Sequence, residues 1–134
     1  MLVIPNFGME TLHHVHANDV AQVFMRAMAR WSVSVGEAFF AVSPAAVTLK
    51  GYAAEVARWF HQEADLQFLP WEEWKQACKL SASDIEMTWS HLAHCQCCSI
   101  EKGRRLLGYQ PRYTSFQAVR EAVDWLMAEG VLQV

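Results

Sequence analysis

The sequence predicts a mixed fold, α/β or α+β, mostly helical with a small, largely parallel sheet. Three observations lead there. Apolar residues recur at three- and four-residue spacing over long stretches, the period of an amphipathic helix. Two short runs, Ala38 to Val42 (AFFAV) and Leu66 to Leu69 (LQFL), are apolar without that period, as strands buried on both faces are. The chain has 134 residues, 53% hydrophobic and 19% charged, the balance of a folded domain with its own core. No internal repeat or low-complexity linker divides it, so residues 1–134 are read as a single domain.

The elements follow in order. Thr11 to His16 (TLHHVH) is a short β-prone stretch, and Asn18 offers a side-chain oxygen to cap the next helix. Val20, Phe24, Ala27, Met28 and Trp31 form one apolar stripe along Asn18 to Trp31, and Gly36 breaks the pattern. Ala38 to Val42 is then a strand. Thr48 starts a helix carrying Tyr52, Ala53, Val56, Ala57 and Phe60, and Leu66 to Leu69 is the next strand, so the middle reads β-α-β. From Pro70 onward only helices are expected. Pro70 suits a first turn, with Trp71, Trp74 and Cys78 on one face. Ser83 and Glu86 have capping-box spacing before Ile85, Trp89 and Leu92. A short helix from Ser99 ends at Gly108, with Pro111 preventing resumption. Thr114 and Gln117 form another box, opening a helix with Phe116, Val119, Val123 and Leu126 inward and Gly130 at its end.

Composition excludes several classes of function. A net charge of -3 offers no basic field for nucleic acid or an anionic membrane. No apolar run approaches the roughly 20 residues that span a bilayer, and MLVIPNFGMET lacks the basic start of a signal peptide. A cytoplasmic protein is expected. Cys78, Cys95, Cys97 and Cys98 are bunched rather than spread as a disulfide framework, which fits a reducing compartment. Six Trp and seven Phe are many for this length, and large aromatics concentrate in cores and contact surfaces.

The chemistry-bearing residues are few. His91, His94, Cys95, Cys97 and Cys98 are zinc-ligand types, but they crowd one helix end instead of coming from two separated segments, so no metal is expected. In the His13, His14 and His16 cluster, alternation puts His14 and His16 on one strand face. Glu72 and Glu73 are adjacent rather than on one helical face and suit a solvated first turn. Lys102, Arg104 and Arg105 could touch a diphosphate, although cations are favoured near a helix C-terminus in any case. No G-x-S-x-G elbow occurs.

Three stretches resemble the extended short-chain dehydrogenase/reductase superfamily, NAD-dependent epimerase/dehydratase branch. His14-Val-His-Ala-Asn-Asp-Val-Ala (14–21) is similar to hhVhvdDvA, with Asp19 at the acidic position and Asn18 replacing the commoner aspartate. Glu37-Ala-Phe-Phe-Ala-Val-Ser (37–43) resembles g-x-x-y-n-v-g. Ser99-Ile-Glu-Lys-Gly-Arg-Arg-Leu-Leu-Gly-Tyr-Gln-Pro-Arg-Tyr (99–113) is similar to d-x-s-K-A-x-x-x-L-G-w-x-P-x-y. The resemblance covers nearly the whole chain in order and spacing. It implies the C-terminal, substrate-side portion of that fold without its Rossmann domain.

The resemblance also implies what to look for. The family cradles NAD on a Gly-rich turn and moves protons with a Tyr-x-x-x-Lys pair. Neither is in this sequence: Tyr52, Tyr109 and Tyr113 are followed at the fourth position by Val56, Tyr113 and Gln117. Hence no catalytic or cofactor-binding residue is assigned, and no cofactor is expected in this chain. It is read as a truncated product, an excised fragment or half of a split protein. The family's substrate arginine would fall near 91–98, where none stands, so Arg112 is the nearest substitute. Arg112, Arg104, Arg105 and His16 are the candidate contacts for a nucleotide-sugar-like ligand. The expected partner is a second copy or a separate cofactor domain. A stand-alone interaction or regulatory module, and a small zinc protein, are the alternatives.

Overall fold

Helices make up about half of the chain and two short strand pairs the rest of its regular structure, in a computed structural model that describes residues 1–94 and 97–133. The chain forms two compact units, Met1–Leu12 with Val47–Gln96 and His13–Ala46 with Cys97–Val134. Among the described residues no helix is long and apolar enough to cross a membrane.

In the first unit, β1 (Leu2–Pro5) pairs in parallel with β4 (Leu66–Leu69), Leu2 opposite Leu66 and Pro5 opposite Leu69. β2 (Thr11–Leu12) pairs antiparallel with β3 (Val47–Thr48). Between β3 and β4 runs α3 (Leu49–Trp59), whose first N–H groups are all satisfied locally. Glu10 and Gly8 carbonyls take those of Leu49 and Lys50 at 2.8 Å each, and the Thr48 hydroxyl takes that of Gly51 at 3.1 Å. Gly8 is required there, because its φ is +64° and a Cβ would lie 3.1 Å from the Lys50 backbone nitrogen. α4 (Trp71–Ala77) buries Trp74, whose indole N–H donates to the Val3 carbonyl at 3.1 Å and ties the helix to β1. α5 (Ala82–Ala93) follows.

In the second unit, α1 (Ala17–Ala29) and α2 (Trp31–Ser34) pack with α6 (Glu101–Leu107), and α7 (Ser115–Ala128) ends the chain's helices. The core is Val23, Ile100, Leu107 and Tyr109, with Ala27, Phe39, Ala41 and Val42 against it. Gly108 closes α6 at φ 71°, and Thr114 with Gln117 forms the expected capping box of α7.

Several expectations are corrected. Ala38 to Val42 is not a strand. Side chains take its carbonyls instead: Lys102 reaches the Ala38 oxygen at 2.9 Å and the Tyr109 hydroxyl the Val42 oxygen at 2.9 Å. The parallel partner of β4 is β1, at the N-terminus. The strand expected over Thr11 to His16 is confined to Thr11–Leu12, because the next residues turn into α1. His16, not Asn18, caps α1, and Ser81 with Asp84, not Ser83 with Glu86, caps α5.

The largest departure is on α1. Its inward residues are Asp19, Gln22 and Val23, while Phe24, Met25 and Met28 are exposed, as is Trp31 on α2. Asp19 is fully buried, and its carboxylate accepts the N–H of Arg112 at 2.9 and 3.0 Å and that of Tyr113 at 3.1 Å. Gln22 makes a reciprocal pair with the Gln110 backbone, both bonds 2.9 Å. Arg26 and Arg30 reach the carbonyls of Leu107 and Leu106 at the end of α6, at 3.4 and 3.3 Å. Positions 19, 22 and 26 lie on one helical face at about 100° per residue, and with Arg30 just past the helix end they meet the backbone of residues 106–113 as a row of polar contacts.

Tyr109 gives this arrangement a pH signature. Burial, then the nearby Asp19 charge, pushes its phenol up to about 12 from 10.0. A raised pKa means the folded state retains the proton, so stability is intact below pH 10 and falls as pH rises from 10 to 12. Tyr109→Phe should lose about 1 kcal/mol at neutral pH with the hydrogen bond to Val42, and should flatten the alkaline loss. Urea unfolding at pH 7 and across pH 9–12 checks both. Asp19→Ala should cost about 3 kcal/mol by the same measurement, because it empties a buried site and leaves the Arg112 and Tyr113 N–H groups without their acceptor.

Candidate functional site

Two of the four candidate contacts, His16 and Arg112, belong to neighbouring parts of the second unit, and His16 is the better defined. It precedes α1 with extended backbone, and its Nδ1 accepts the Asn18 N–H at 3.1 Å. With Nδ1 accepting, the ring proton is on Nε2, which donates to Glu121 Oε2 of α7 at 2.9 Å. The ring stacks on Tyr113 with centroids 3.8 Å apart and planes 16° from parallel. His16 is 8% exposed and Glu121 65%. Beside them is a cavity of about 380 Å³ lined by Val15, Ala17, Ala118, Ala122 and Trp125.

Both nitrogens of His16 are therefore committed, one to the α1 terminus and one to α7. The ring has no lone pair left to take a proton from a ligand, and the exposed Glu121 carboxylate is the group a ligand would meet. Sequence reading missed Glu121 and Tyr113 as partners of His16. Glu121 is 105 residues away, and no local spacing announces such a pair.

The arginines have separate surroundings. Arg112 has an exposed side chain on a backbone fixed by Asp19. Arg104 pairs with Glu101 on its own helix at 2.8 Å, and Arg105 is exposed in the last turn of α6. Lys102 binds Glu37 at 2.6 Å and lies 5.0 Å from the Phe39 ring centroid; its ammonium holds the Glu37 carboxyl below the usual range.

In the histidine and cysteine run, His94 and Cys98 have hydrogen-bond partners within the chain. The His94 ring N–H donates to the Ser90 carbonyl at 2.7 Å. His13 accepts the Cys98 N–H on Nδ1 at 3.2 Å and donates from Nε2 to the Ser43 carbonyl at 2.9 Å. Cys97 is exposed, Cys78 is half-buried, and Cys95 lies outside the described residues. Among the described residues no three His, Cys, Asp or Glu side chains are gathered to hold a metal ion.

No protein-family model, curated protein or solved structure matches the chain.

If His16 is a clamp between α1 and α7, His16→Ala should lose about 2 kcal/mol through the cap, the Glu121 bond and the Tyr113 stack. His16→Asn keeps a capping oxygen and should recover about half of that. Urea denaturation of the three proteins gives the comparison, and a His16→Ala loss below about 0.5 kcal/mol would remove the clamp.

Proposed function

We propose that the chain is a substrate-side module of the extended short-chain dehydrogenase type, incomplete for hydride chemistry alone, which works with the outer face of α1 covered by a second copy. The row of large apolar side chains left exposed on α1 and α2 carries the proposal. An ordinary surface helix turns its apolar stripe inward. Here Asp19, Gln22 and Arg26 engage the protein's own backbone, while Phe24, Met28 and Trp31 are 67%, 66% and 66% exposed. Large exposed apolar patches mark contact sites, and aromatic and Met side chains are enriched at their centres. A lasting interface takes about 800 Å² from each partner, and a two-fold dimer needs only one self-complementary patch.

The family part of the proposal is supported by how the three quoted stretches meet. Asp19 of the first holds Arg112 and Tyr113 of the third, and Tyr109 of the third holds Val42 of the second. Arg112, exposed on that anchored loop, is the cation a nucleotide-sugar diphosphate would meet.

Sedimentation at micromolar concentration should show a dimer, and Met28→Glu with Trp31→Glu should give a folded monomer. A wild-type monomer overturns the self-association. Calorimetric titration with NAD should show no saturable binding; micromolar affinity would sink the incomplete-module reading. The second reading, an interaction or regulatory module, rests on the same exposed face. Titration with UDP-glucose separates the two. Binding weakened by Arg112→Ala favours the substrate-side role, and no binding favours the interaction module.

A further inference from the structure

The first unit contains a cavity of about 640 Å³ that none of the candidate contacts lines. This volume lies in the range of about 300–1,000 Å³ typical of small-molecule sites. Its walls on the β1, α3 and α4 sides are mostly apolar, with Ile4, Pro5, Ala53, Val56 and Trp74 facing it and the Tyr52 phenol among them. They are also anchored. Trp74 is pinned by its bond to Val3 and stacks on Trp71 at 5.0 Å, and the start of α3 is held by Gly8, Glu10 and Thr48. A cavity between walls fixed in this way cannot close cheaply by collapse.

Its polar side comes from α5. Asp84, Thr88 and His91 line the cavity at four- and three-residue spacing, which aligns them on one stripe of the helix. The Thr88 hydroxyl gives its proton to the Asp84 carbonyl at 2.7 Å, so toward a ligand its oxygen accepts. Asp84 has one carboxylate oxygen bonded to the Ser81 hydroxyl at 2.6 Å and, among the described residues, is the only Asp, Glu, Lys or Arg side chain in the lining. A mostly apolar chamber whose α5 edge carries the Asp84 carboxylate, with no lysine or arginine among the described lining residues, disfavours carboxylates and phosphates. It favours a donor head group of positive charge.

We propose that this cavity is a binding site for an apolar primary amine, its hydrocarbon body against Ile4, Ala53, Val56 and Trp74 and its ammonium group at Asp84 and Thr88. The ligand class is an alkyl or arylalkyl amine of roughly ten to fifteen non-hydrogen atoms, a size such a volume accommodates.

The test is calorimetric titration of the full chain at pH 8 with decylamine, 1-decanol and decanoate, each below its micelle-forming concentration. Decylamine should bind saturably at one per chain, about fivefold tighter than decanol, the gain expected of an exposed ion pair. Decanoate should be weaker than both. Asp84→Asn, a change at an exposed position, should bring decylamine down to the affinity of decanol and leave decanol unchanged. Ala53→Trp should fill the chamber and abolish binding of all three; Val56→Phe serves if that variant does not fold, with circular dichroism as the check. The proposal is overturned if no probe binds saturably, if decanoate matches decylamine, if Asp84→Asn leaves the preference for the amine intact, or if a folded cavity-filled variant still binds.

Discussion

A carboxylate with no solvent access must find hydrogen-bond donors, and Asp19 finds them in the backbone of Arg112 and Tyr113. An unpaired buried charge costs several kcal/mol, so the segment after α6 has little freedom to lie elsewhere. Much of the second unit follows from that constraint. Gly108 turns the chain back, Tyr109 enters the core and bonds Val42, and Thr114 opens α7 with its own capping box. The position of Asp19 in the first turn of α1 adds the favourable end of the helix dipole to the two N–H groups.

The same constraint decides which face of α1 is outside. Once positions 19, 22 and 26 address the backbone of 107–113, helical geometry sends 24 and 28 the other way. The apolar periodicity is genuine, but its direction is set by polar residues with more demanding partners. A hydrophobic side chain left in water loses on the order of 2 kcal/mol, whereas an unsatisfied buried carboxylate loses more. The helix takes the smaller loss, and Phe24 and Met28 stay exposed.

The histidines show how one residue type can join separate stretches of chain. His13 and His16 each use both ring nitrogens to join separate stretches, His13 linking Ser43 with Cys98 and His16 linking the start of α1 with Glu121. Imidazole suits this because one ring can accept and donate in opposite directions. Polar side chains thus do in the second unit what strand ladders do in the first, where β1 and β4 pair along their length.

Features that depend on neighbours in sequence were legible from the residues alone. Thr48 at the start of α3, Gly108 at the end of α6, the Thr114 and Gln117 box and the strand Leu66–Leu69 stand where local rules put them, because caps and turns act over three or four residues. So did the mixed, mostly helical class. Tertiary structure alone decided the rest. AFFAV looks like a buried strand, yet Lys102 and Tyr109 occupy carbonyls of that segment and no ladder forms. LVIP carries too short a pattern to declare itself until β4 lies beside it. His16 displaced Asn18 as the cap because Glu121 and Tyr113, about a hundred positions away, hold its ring in place. The face of α1 that turns inward is likewise set by donors 93 and 94 residues distant from Asp19. Periodicity shows that a helix has two faces, and only the long-range partners determine which of them the protein buries.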